Sequence, residues 1–239
     1  MQQEITKENL RKVMDACYEK AINGIPLVSK PVDDLALEYL DRYPTKEEAV
    51  KKLIDTQVVK CTTAGFVAGL GGAIALPVAV PANLSSVLYV QLRMIAAVAY
   101  VGGYDVTSDK VQTLIYACLV GISVNELLKR AGIVAGEKIA VNVIKKIPGA
   151  FFVKINKLIG FRLVTKFGTK GVINLAKLVP GIGGFINGGF DLVQTKIIGA
   201  RAYKWFYDGI MEGEKNSDVD DSLEIFDIES DENDLPIEE

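Results

Sequence analysis

Residues able to hold a metal, move a proton or attack a carbonyl are scarce here, and the first of them is missing altogether: the chain has no histidine. That excludes Ser-His-Asp and Cys-His hydrolysis, His-ligated zinc or iron, and the commonest general base near neutral pH. Cys17, Cys61 and Cys118 are odd in number, far apart and form no C-x-x-C. They are expected to be buried, inert thiols of a reducing compartment, neither a disulfide framework nor a metal set. GLGGAI at 69–74 fails G-x-G-x-x-G at Ile74 and follows a helical pattern where a strand is required, and no G-x-x-x-x-G-K-[ST] is present; phosphate-loop nucleotide binding is not expected on either count. Asp218, Asp220, Ser222, Glu224 and Glu229 fall at calcium-loop positions, but Leu223 stands where the sharp turn needs glycine. Coincidence in an acid-rich tail explains them. No catalytic, cofactor or metal site is expected, and the chain is expected to be non-enzymatic. An enzyme acting on lipid would have to rely on Asp191, the one acid in a suitably apolar neighbourhood.

The charge that is present is strongly sorted. Residues 212–239 hold 13 acidic residues and one lysine, a net of −12, whereas residues 1–211 hold 26 basic and 17 acidic residues, a net of +9. Between 127 and 177 stand eleven Lys or Arg and one acid, Glu137. There Lys145, Lys146, Lys154, Lys157, Arg162, Lys166 and Lys170 alternate with Phe151, Phe152 and aliphatic residues. On a helix, Phe152, Ile155, Ile159 and Leu163 share one side while Lys154 and Lys157 turn toward others. Basic residues beside anionic headgroups contribute ~1 kcal/mol each, so this set is expected to contact an anionic membrane surface. A solvated face of a core helix is the competing reading. Nucleic acid is not expected, because the stretch is mainly aliphatic and the pI, near 5.3, is acidic.

Helices must position these groups, since helix punctuation is frequent and strand signals are weak. The signals predict helices from Thr6 to about Asn23, Val32 to Tyr43, and from a T-x-x-E capping box at Thr45 and Glu48 through Lys60. Further helices are expected over 83–101, 108–130, 131–147, 150–167, 171–178 and 182–210. The class is therefore all-α: a multi-helix bundle of about nine helices with Gly-rich apolar hairpins and a disordered acidic C-terminal tail. The expected organisation is an N-terminal helical segment (1–44), a main helical domain (45–211) and the tail (212–239). Met1 to Lys12 is polar and charged, unlike a signal peptide.

Two segments depart from ordinary globular statistics. The 32 residues from Cys61 to Leu92 carry no charge, and Pro77 and Pro81 interrupt them. Only about 16 residues precede the first proline, short of the ~20 a spanning helix needs, so a helical hairpin fits better. Its first arm sets Gly65, Gly69 and Ala73 at four-residue spacing with Gly72 beside them, the small-residue pattern of closely packed helices. Leu178–Phe190 is again uncharged, with Gly184 and Gly188 four apart. GLGG at 69–72 and GIGG at 181–184 suggest a loose internal duplication. A tightly packed water-soluble core is the alternative for both segments. The run TAGFVAGLGGAIALPVAVPANLSSVLYVQLRMIAAVAYVGGYD at 63–105, with LVPGIGGFINGGFD at 178–191 and the following helix bearing Gly199 and Arg201, resembles the EcsC protein family over about residues 45–208. The resemblance implies a helical bacterial protein, named for a locus that also encodes an ABC-type exporter, with no established catalytic activity. It does not extend to the tail.

The functional expectation is a non-enzymatic helical protein, peripheral or re-entrant at the cytoplasmic face of a membrane, to which the resemblance adds a role beside a transporter or in envelope stress. The alternative is a soluble helical interaction module whose acidic tail binds a protein partner. Arg93, the only charge between 61 and 104, is expected to be buried with an acidic or carbonyl partner, Asp191 first among them, because an isolated buried ion costs several kcal/mol. Competing placements are an Arg93 projecting to solvent, and an Asp191 that pairs with Lys196 or caps the last helix.

Overall fold

Punctuation residues decide where the helices stop. A computed structural model describes residues 7–62, 82–130, 141–167 and 189–211, and among these nine α-helices and no strand are found. Helix α1 (Lys7–Asn23) ends at Gly24, whose φ of +79° favours glycine and whose missing side chain lets the Ser29 carbonyl approach. A tight turn closed by Ile25 and Ser29 leads to α2 (Val32–Arg42). The Thr45 hydroxyl accepts from the Glu48 backbone N–H at 3.1 Å, starting α3 (Lys46–Thr62) as the capping box predicts.

Helix α4 (Ala82–Val101) is the hub, with α1, α2, α3 and two later helices, Asp109–Val120 and Gly189–Ala202, packed around it. Arg93 aside, the residues from Ser85 to Ala99 bury apolar or uncharged polar side chains. The expected helix over 108–130 is two helices, α5 (Asp109–Val120) and α6 (Val124–Arg130). The physical reason is Gly121: at φ +83° it ends α5, the Ala117 carbonyl accepts both following N–H groups, and Ser123 restarts the chain by accepting from the Glu126 N–H at 3.4 Å. That S-x-x-E box was legible in the sequence and overlooked there.

Helices α7 (Val141–Lys146) and α8 (Gly149–Phe167) follow, separated at Pro148. Helix α9 (Gly189–Ala202) runs into a π-helical turn, Tyr203–Tyr207, which carries the adjacent Trp205 and Phe206 inward together. The expected continuous helix to 210 is thus interrupted. At this turn the Phe206 carbonyl lies against Gly102, where any side chain would collide with it. Gln91 Nε2 donates to Thr195 Oγ1 at 3.0 Å, and Gly199 lies against Met94 and Ile54, so α9 runs parallel to α4 in a register that the small residue permits.

One core joins all of this. Leu10, Met14 and Tyr39 belong to the same buried cluster as Leu92, Ile115 and Trp205, so the expected boundary at residue 44 does not divide the packing. The segment 171–178 and both halves of the suggested duplication, GLGG and GIGG, lie outside the described residues, as do 212–239.

Candidate functional site

The α7–α8 arm is positioned from below by α5 and α1. Lys110 Nζ donates to the Lys145 and Ile147 carbonyls at 3.1 and 2.7 Å, pinning the end of α7. Asn156 in the middle of α8 donates to Thr113 Oγ1 at 3.4 Å and accepts from Arg11 Nη1 at 3.1 Å. These contacts set the rotation of α8. Phe152, Ile155, Ile159 and Leu163 face the core, as their spacing predicts.

That same rotation corrects two expected membrane contacts. Phe151 and Phe152 are each 5% exposed, packed edge-to-face, with the Lys110 ammonium 5.4 Å from the Phe152 ring centre. They are core residues, because phase with Ile155 and Ile159 outweighs their size. Among the described side chains of α8, the large apolar residues that reach the surface are Val153 (57% exposed) and Phe161 (46%), with exposed Lys157 midway between them at four-residue spacing. Sequence reasoning missed both, although the core phase it identified already implied them. Lys145 and Lys146 are exposed and Lys154 is half-buried. Arg162 is drawn away from the surface: its Nη1 donates to the Gly121 carbonyl at 3.0 Å, at the end of α5. The side chain of Lys166, and Lys170 altogether, lie outside the described residues.

Buried cations share one solution. Arg93 is 5% exposed, and its Nη1 donates at 3.1 Å to the Ala21 carbonyl in the last turn of α1; burial lowers its pKa while Tyr89 opposes that shift. Arg201, 7% exposed, donates to the Cys118 carbonyl at 2.6 Å in the last turn of α5. With Arg162 and Lys110, four cations sit on carbonyls at helix C-termini, where unsatisfied acceptors and the negative end of the helix dipole both favour positive charge. Arg93 thus has a carbonyl partner. The side chain of Asp191, proposed as its acidic partner, lies outside the described residues, as do Gly65, Gly69, Gly72, Gly184 and Gly188.

Other candidate chemistry is thin. Cys17, Cys61 and Cys118 are all buried and outside any disulfide, and burial pushes the Cys17 thiol up to about 12 against an opposing effect of Lys20. Among the described residues no group of three or more Cys, Asp or Glu could hold a metal ion. An open groove between the ends of α1 and α4 is lined by Asn23, Asp33, Tyr104 and Asp105. In it the Thr107 hydroxyl and N–H donate to Asp105 at 2.6 and 3.0 Å and hold its carboxyl below the usual range, so it stays ionised near neutral pH. Leu84–Val101 is the one described helix long and apolar enough to cross a membrane, and 89% of that window is buried inside the protein.

Fold and surface together define a class: an all-α multi-helix bundle that carries a mixed basic and apolar strip on α7–α8. No family model, curated protein or solved structure matches the chain.

Proposed function

We propose that the protein is a non-enzymatic, peripheral membrane-associated protein of the cytoplasmic face, which rests its α7–α8 arm on anionic lipid. The observation that carries this reading is the solvent face of α8, where Val153 and Phe161 flank Lys157 with Lys154 beside them, continuing to Lys145 and Lys146. An apolar pair that can enter the headgroup boundary, ringed by ammonium groups that meet phosphate, is what an interfacial helix needs. Because α4 is spent on the protein's own core, this reading is peripheral rather than spanning. A role beside a transporter or in envelope stress is what the resemblance to the EcsC family adds.

Co-sedimentation with phosphatidylglycerol-containing vesicles tests the reading. At ~1 kcal/mol per lysine, Lys154→Gln with Lys157→Gln should weaken binding roughly 30-fold, and Val153→Ser with Phe161→Ser should weaken it further. Equal binding by wild type and both variants, or no binding by any, would sink it. Capture of protein partners with no vesicle binding would support the interaction-module alternative instead.

A further inference from the structure

We propose that the acidic residues 212–239 dock along the α7–α8 strip of their own chain and compete with lipid for it. The inference rests on the reading of that strip as the lipid contact and adds its regulation.

The root of the tail lies within reach of the strip. Met211 is fully buried, and its carbonyl accepts from the Asn125 N–H at 3.0 Å. Gly121, four residues before Asn125 in the chain, receives Arg162 of α8 at 3.0 Å. Four residues of chain span at most ~14 Å. The tail therefore leaves the body within reach of the C-terminal half of α8. From Met211 to Leu223 the chain can reach ~40 Å, more than enough to pass the ~12 Å that separate Val153 from Phe161 along the helix.

The two partners match in kind as well as in place. The tail carries a net −12, and the strip offers Lys145, Lys146, Lys154 and Lys157. Leu223, Ile225, Phe226 and Ile228 stand among the acids, the same mixture of apolar and charged residues as the strip with the sign reversed. Three to five residues of extended chain cover ~10–17 Å, which brackets the spacing of Val153 and Phe161. An acidic segment so tethered competes at the high effective concentration of an intramolecular ligand, and lipid must displace it.

The test uses the full chain with Glu224→Gln, Asp227→Asn, Glu229→Gln, Asp231→Asn and Glu232→Gln in the tail. Acetylation rates of Lys154 and Lys157, read by mass spectrometry in the absence of lipid, should rise several-fold over wild type at low salt. Lys52, exposed on the distant helix α3, should not change. In 1 M salt, where the Debye length is ~3 Å, the difference should vanish. Vesicle binding at low salt should rise several-fold in the same variant. Unchanged acetylation at Lys154 and Lys157 overturns tail docking whatever the vesicles show. Faster acetylation with no vesicle binding by either form leaves the docking intact and overturns the lipid reading of the strip.

Discussion

Arg93 shows how a single residue can be half legible. As the only charge in a long uncharged run it announces its own burial, but its partner is a backbone carbonyl 72 positions away, at Ala21, and carbonyls leave no trace in a side-chain pattern. Removing the guanidinium strips that carbonyl of its donor, so Arg93→Ala is expected to lower stability by ~2–4 kcal/mol in urea denaturation, with Arg93→Lys losing less. A loss below about 0.5 kcal/mol would show that the contact contributes nothing. Cys17 gives a pH dependence. Its thiol is raised from an ordinary 9.0 to about 12, so between those values the unfolded chain releases a proton that the folded chain keeps. Stability is therefore unaffected below about pH 9 and falls as pH rises toward 12. Burial raises Tyr18 and Tyr116 as well, in the same direction. The urea midpoint should fall between pH 8.5 and 10.5, and Cys17→Ala, less stable to begin with, should show a shallower fall. A midpoint flat across that range would contradict the burial of these groups.

At the scale of elements, small residues and helix ends govern the packing. A side chain at Gly199 would meet Ile54 Cγ2 at 2.6 Å and Met94 Sδ at 3.4 Å, where α9 lies on α3 and α4. Gly199→Ala overpacks this contact and should cost ~1–3 kcal/mol, a drop of several degrees in Tm. Combining it with Ile54→Ala should recover part of the drop, because the clash lies at one methyl group; two losses that simply add would rule this contact out as the cause. Helix α8 shows the limit of reading elements from size alone. The aromatic pair Phe151 and Phe152 promised a surface anchor, yet the rotation imposed by Ile155, Ile159 and Leu163 turned both inward and turned Val153 and Phe161 out. Periodicity was the better guide, since a helix has one rotation to give all of its residues.

For the whole molecule, the decisive feature is a shared core centred on α4. Because α1 and α2 bury Leu10, Met14 and Tyr39 in the cluster that holds Trp205, unfolding should be one cooperative event. Trp205 is the only tryptophan and is fully buried; its emission and far-UV circular dichroism should change at the same urea concentration, and two separated midpoints would mean that the N-terminal helices fold apart. Local grammar was enough to establish the helical class, most helix starts and stops, the inward face of α8 and the division of charge between body and tail, because caps, glycines and 3.6-residue periods act within a few positions. What tertiary structure alone decided is non-local: the merging of residues 1–44 into the main core, the break of α9 into a π-turn against Gly102, and the seating of Arg93, Arg162, Arg201 and Lys110 on helix ends far along the chain. A buried cation requires a partner but does not specify which; only the packing that brings a particular helix C-terminus within reach of it does.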